Sequence, residues 1–303
     1  MATLAPPVTE TGRHAPPAAP AARRRGRRGG SKAGKPGPVT YTLLTLVALV
    51  SIFPLYWTLV AGSHTNAEIA ATPPPFLPNA SLFDNFQAAL EQAPIGKAIL
   101  NSVLVAGSIT VGTVLFCTLA GFAFAKLQFR GKGVLLGLVI GTMMVPTQLA
   151  VIPLFMMIAE LQWVNQLQAV ILPTLVSAFG VFFMRQYLIS ALPNELLEAG
   201  RVDGASTFRI FWSIVVPVAR PAMAVLAMLT FLTAWNEFFW PLIALTTANP
   251  TVQVALAGLG SGYVPQRSVI MAGTLLGTLP VLIVFTILGK QIVGGIMQGA
   301  VKG

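Results

Sequence analysis

Few side chains in this sequence are of the types that do covalent or metal chemistry. The histidines are His14 and His64, and Cys117 is the single cysteine. No HExxH string and no Cys/His ligand spacing occurs, so neither a metal site nor a catalytic residue is expected. Gly29-Gly30-Ser31-Lys32-Ala33-Gly34-Lys35-Pro36 nearly spells a phosphate-binding loop. Pro36 stands where a hydroxyl would hold Mg²⁺, and no strand precedes it, so the chain is expected to bind no nucleotide.

Two stretches remain. Trp235, Asn236, Glu237 and Trp240 combine aromatic faces with amide and carboxylate groups. Such groups bind hydroxylated rings, and tryptophans near a lipid interface also form an aromatic belt; both readings stand. The second stretch is residues 193–217. Pro193 suits a helix start, and Glu195 and Glu198 suit its first turns, where the helix dipole favours anions. Gly204 can end that helix in a left-handed turn, and Ser206 or Thr207 can cap the next one. The pattern predicts a short helix, a sharp turn and a second helix along a membrane face, stopped by Pro217 and Pro221.

The elements that must position these residues follow from composition. Of 303 residues, 55% are hydrophobic and only 9% charged, against about 25% charged in soluble domains. So little charge cannot cover a globule of this length, and the chain reads as an all-α integral membrane protein. Residues 1–38 are rich in Pro, Ala, Arg and Gly and read as a disordered basic tail. Without aromatics for base stacking, the tail reads as a topology anchor rather than a nucleic-acid arm. Beyond it, uncharged runs long enough to cross a ~30 Å core predict six transmembrane helices, at about 39–62, 99–125, 134–159, 164–184, 220–240 and 269–289.

With the tail in the cytoplasm, the segments 1–38, 126–133, 185–220 and 290–303 lie inside and carry 17 of the 19 basic residues. Only Lys97 and Arg267 remain outside. The positive-inside rule therefore predicts two cytoplasmic termini. Two outer loops are expected, about 63–97 and 246–268. Small residues at four-residue spacing, Gly133, Gly137 and Gly141 in one span and Gly273 and Gly277 in another, are expected to pack helices within the chain. Met143, Met144, Met156 and Met157 are likewise expected to be packing residues.

Residues 193–217 resemble the EAA loop of ABC importer permeases, which reads EAA, three residues, Gly, nine residues and I-x-L-P. Here Glu198-Ala199-Gly200 stands for EAA, Gly204 takes the glycine position, and Ile214-Val215-Val216-Pro217 matches the ending with Val for Leu. Gly200 in place of alanine loosens the helix by ~1 kcal/mol. Three further strings resemble the carbohydrate-uptake, maltose-permease-like group of that family. They are Phe83-Asp84-Asn85-Phe86, Trp235 through Leu242, and Gly299-Ala300-Val301-Lys302-Gly303.

The resemblance implies a type I ABC importer permease fold with a cytoplasmic coupling helix, in a bacterial inner membrane. It implies that Glu198, Ala199, Gly200, Asp203, Gly204 and Ala205 meet an ATPase subunit, with Ala199 and Gly200 permitting close approach. The implied partners are a second homologous permease subunit, two ATPase subunits carrying ATP and Mg²⁺, an extracytoplasmic sugar-binding protein, and membrane lipid. An ion-coupled carrier is the alternative, though such carriers keep carboxylates at mid-membrane. The distance from Arg220 puts Glu237 at a membrane edge instead. A membrane-bound enzyme has no catalytic cluster to support it.

Overall fold

The computed structural model describes residues 37–300. The tail expected at 1–38 therefore lies almost wholly outside the described residues, as do 301–303. Every regular element among the described residues is helical. The chain divides into two units, 1–51 and 52–303, at a point inside the first helix. In the first unit the described residues are the start of α1 (Pro38–Gly62), a 25-residue helix without a charge.

The second unit begins with the end of α1, whose last carbonyls lack intrahelical donors. Asn85 supplies one, its Nδ2 donating to Gly62 O at 2.9 Å and also to His64 O just beyond the helix at 2.9 Å. Asn85 lies on α3 (Leu82–Gln92), after the single-turn α2 (Asn66–Ile69), where Thr65 and Glu68 form a capping box. The 32-residue α4 (Ile95–Lys126) follows and is the central element, packed by most of the others.

The third predicted span is not one straight helix. Residues Lys132–Thr142 form α5, and a second helical stretch, Thr147–Glu160, contains α6 (Val151–Glu160). The two stretches bend by 93° at Met143–Pro146. Pro146 has no N–H to continue the ladder, and the residue before a proline is driven out of the helical region. The fourth span is also displaced and broken. After α7 (Gln168–Ile171) the helix runs to Thr174, and α8 (Ala178–Ala191) starts at a 41° angle after Ser177 caps it by accepting from Gly180 N–H.

Next come α9 (Asn194–Val202) and α10 (Thr207–Ile210), then a π-helical stretch Phe211–Val215 that runs straight into α11 (Val216–Asn236). The prolines therefore do not stop a separate surface helix. Thr207–Asn236 is one continuous 30-residue helix. Val216 N–H bonds Phe211 O, five residues back. This shift of register falls where Pro217 has no N–H to offer, and a π-bulge absorbs it.

After Asn236 the chain turns into α12 (Phe239–Ala244), so the fifth predicted span ends four residues early and Trp240 lies on another helix. The outer loop expected at 246–268 contains α13 (Val252–Leu259), which buries Val252, Val254, Ala255 and Leu259. The last helix, α14 (Arg267–Ala300), is the longest. Among the described residues four helices are long and apolar enough to cross a membrane, and the two bent pairs make six if each is one crossing.

Three apolar clusters form among the described residues. One gathers Ile95, Trp235, Val252 and Val269, another Phe122, Leu188, Leu197 and Phe211, and a third Ile158, Val170, Trp240 and Ala244. Lys126 Nζ donates to Asn194 Oδ1 at 3.0 Å, tying the exit of α4 to the start of α9. Parallel α4 and α8 touch through Gly121, where an added Cβ would lie 2.7 Å from Met184 Cβ, and through Gly180, where it would lie 2.7 Å from Cys117 Sγ. Gly273 and Gly277 pack as expected, against Leu256, Leu259 and Val252 of α13. Gly133, Gly137 and Gly141 do not, since among the described residues nothing lies within 4 Å of a Cβ built on them. The four methionines expected to pack are also exposed. Apolar groups that face lipid or another subunit read the same as groups that face a neighbouring helix.

Candidate functional site

The reversal after α9 has the geometry its sequence predicts. Gly204 sits at φ +74°, the left-handed region open to glycine without steric cost. Gly204 N–H donates to Arg201 O at 3.0 Å, and Ala205 N–H donates to Gly200 O at 2.9 Å. Together these are a Schellman motif, which satisfies carbonyls the helix end would leave unpaired. Ser206 is the next cap, its Oγ accepting from Arg209 N–H.

Around this turn the six predicted coupling residues divide by face. Glu198, Ala199, Asp203 and Gly204 are exposed, and Ala205 is half-buried. Gly200 is buried and faces inward, correcting the expectation that it lets a partner approach. A Cβ there would lie 3.2 Å from Ile214 Cδ1 and 3.3 Å from Ile210 Cγ1. Its missing side chain thus lets α9 lie against α10 and the π-helical stretch. Three further apolar residues near the turn are exposed: Val202, at 88% exposure, and the edge-to-face pair Phe208 and Trp212. Val202 was open to sequence reading, as an apolar residue off the buried stripe of the amphipathic α9.

The second site is a cavity of about 720 Å³ between α4, the bent helix pairs, α11 and α12. Of the four residues read as possible solute contacts, Glu237 and Trp240 line it. Glu237 Oε1 accepts from Phe239 N–H at 3.0 Å and Trp240 N–H at 3.2 Å, and so caps α12. Trp240 donates its Nε1–H to Ala169 O at 3.0 Å, which fixes the ring in the wall.

Trp235 and Asn236 are not among the lining residues. Trp235 is 2% exposed, stacked on Phe231 at 5.6 Å. Asn236 is exposed and turns its Nδ2 back to Leu232 O. The break at Glu237 sends the two tryptophans into different clusters.

Hydroxyl groups supply most of the remaining polarity. Thr230 and Thr233 precede Glu237 along one face of α11, at the i, i+3, i+7 spacing that could have revealed them. Thr113, Thr174 and Ser177 line the opposite wall, and Gln148 adds the one amide. These carry no sequence signature, because Ser and Thr in apolar helices routinely bond a carbonyl one turn back.

Comparison with known proteins places this architecture. Residues 114–297, which contain the whole turn and most of the cavity wall, match the family described as the binding-protein-dependent transport system inner membrane component. The chain is 35% identical to the lactose transport system permease protein LacG of Rhizobium radiobacter, covering 83% of this chain and 91% of that one. It is 33% identical to the arabinooligosaccharides transport system permease protein AraQ of Halalkalibacterium halodurans, covering 84% and 92%. It is 31% identical to the sn-glycerol-3-phosphate transport system permease protein UgpE of Yersinia enterocolitica, covering 82% and 91%. Among solved structures, a bacterial ABC transporter involved in the import of the acidic polysaccharide alginate shares the fold. Its TM-score is 0.72 at 22% identity, over 83% of this chain and 94% of that one.

Proposed function

The chain belongs to the family of binding-protein-dependent transport system inner membrane components, and on that premise we propose that it lines the solute path of an ATP-driven sugar importer. It is a multi-pass membrane permease subunit, as its relatives and its helices have it. Membership removes the ion-coupled carrier. The permeases it matches serve lactose, arabinooligosaccharides and sn-glycerol 3-phosphate, so the solute proposed here is a sugar or a sugar-like polyol.

The division of labour is proposed as follows. The turn at Gly204 presents Glu198, Ala199, Asp203 and the apolar Val202 to a cleft in an ATPase subunit. A second permease subunit covers the exposed faces of α5 and α6. An extracytoplasmic binding protein delivers solute to the end that carries α13. ATP and Mg²⁺ stay on the ATPase subunits. The observation that carries this reading is the exposed helix α9, held rigidly by the Schellman turn and by Lys126, with its acidic edge free of any ion pair among the described residues.

The experiment is reconstitution. The chain purified alone is expected to hydrolyse no ATP. Adding separate ATPase subunits, the second permease and sugar-loaded binding protein should produce hydrolysis and uptake together. Turnover that survives removal of every ATPase subunit would overturn the assignment.

Orientation is tested separately. Tyr263 is fully exposed in the turn before α14, and Tyr263→Cys should react with an impermeant thiol reagent in intact cells. Ser206→Cys should react only after permeabilisation. Native Cys117 is buried and silent. The reverse pattern would invert the proposed topology, in which both termini are cytoplasmic.

A further inference from the structure

The cavity mixes hydroxyls whose protons are spent on the backbone with groups that can still donate: Ser177, whose Oγ accepts from Gly180 N–H, and the amide of Gln148. Thr174 spends its hydroxyl proton on Val170 O at 2.9 Å and Ile171 O at 3.0 Å. Thr233 donates to Leu229 O at 2.9 Å, and Thr113 to Thr174 O at 3.5 Å. With their protons committed to the backbone, these oxygens offer lone pairs to a ligand. Both backbone N–H groups that Glu237 accepts go to Oε1, which leaves Oε2 as a further acceptor. Trp240 Nε1–H is committed to Ala169 O. Among the lining residues no Lys, Arg or His appears, and Glu237 is the one ionisable group.

We propose that this cavity admits uncharged, hydroxyl-rich solutes and excludes anions, and that Glu237 is the residue that excludes them. The proposal rests on the permease reading above and narrows it. A polyol brings O–H groups that both donate and accept, which match the threonine oxygens and the donors of Ser177 and Gln148. A phosphate or carboxylate brings acceptors and negative charge. It would meet the like charge of Glu237 and no cationic side chain among the lining residues. On this basis the chain resembles the lactose and arabinooligosaccharide permeases in cargo rather than the glycerol-phosphate one.

The test uses the full chain, purified with the subunits that accompany it, and saturation-transfer NMR, which detects millimolar binding. D-Glucose and D-glucuronate are the probes, since they differ by one carboxylate. Glucose should give a transfer signal, and glucuronate should bind at least ~10-fold more weakly. Glu237→Gln keeps a side-chain carbonyl to accept the two N–H groups, so the cap and the melting temperature should persist. In that variant the preference for glucose over glucuronate should be lost, whatever happens to the glucose affinity itself. Thr233→Val should weaken glucose and still exclude glucuronate. Thr233→Trp, which fills the cavity from α11, should remove both signals.

Equal binding of the two sugars by the native chain would overturn anion exclusion and leave the permease reading standing. Continued exclusion of glucuronate by Glu237→Gln would overturn the role of Glu237. A glucose signal that is absent, or unchanged in Thr233→Trp, would overturn the cavity as the solute path and the present proposal with it. A cap-only role for Glu237 predicts that Glu237→Gln behaves as native toward both probes.

Discussion

Transporters carrying Gly204→Val should insert normally and lose sugar uptake. Gly204 holds φ +74° with nothing within 4 Å of where a Cβ would sit, so space is not the obstacle. Conformation is. A β-branched residue in the left-handed region costs ~1–2 kcal/mol, enough to change the population of the turn by about 5–30-fold. Losing the turn breaks both carbonyl bonds of the Schellman motif and lets α9 swing away from Ile210 and Ile214. The valine side chain also projects outward, into the face proposed to meet the ATPase. Uptake should fall at least tenfold, by about 1.4 kcal/mol or more, while hydrolysis becomes independent of sugar or the ATPase subunits dissociate. Gly204→Asn is the control, because asparagine tolerates the left-handed region, and it should keep most of the uptake. Sugar-stimulated hydrolysis and uptake measured in the same vesicles decide the matter. Native values for both in Gly204→Val would make α9 a passive connector.

The largest loss of stability should come from Gly121→Val. The added Cβ would lie 2.7 Å from Met184 Cβ and 2.8 Å from the backbone nitrogen of Arg185. Neither is the tip of a flexible side chain, so the two helices must separate. Overpacking of this kind costs about 3 kcal/mol, and here it falls on the contact between α4 and α8 beside buried Cys117, Met184 and Leu188. Yield and melting temperature in detergent should both drop sharply. Gly137→Val is the control. It lies on α5, where no described residue is within 4 Å of an added Cβ, so the isolated chain should melt as the native one does. Equal melting of Gly121→Val and the native chain would show that α4 and α8 do not pack this closely.

What the sequence determined alone was whatever depends on composition or on a few neighbouring residues. The shortage of charge required a membrane solvent. The uncharged run ending at Gly62 set the first helix almost to the residue. The turn at Gly204 and the cap at Ser206 were legible because left-handed backbone and N–H capping are decided within about five residues.

Tertiary structure decided the rest. Trp235 and Trp240 are five residues apart and of one type, yet one is stacked in a core against Phe231 and the other walls a cavity. The break between them depends on Glu237 capping a six-residue helix. The bends after Thr142 and Thr174 place two predicted spans around that cavity, although Pro146 and Pro173 look no different in sequence from Pro221, which α11 carries within its length. Gly121 and Gly137 read identically, and only the packed chain shows that one meets α8 and the other meets no described residue. In an aqueous fold, polarity would have separated inward from outward positions. In lipid both faces are apolar, so periodicity identifies the helices, and only side-chain packing tells which face of each helix meets another part of the protein.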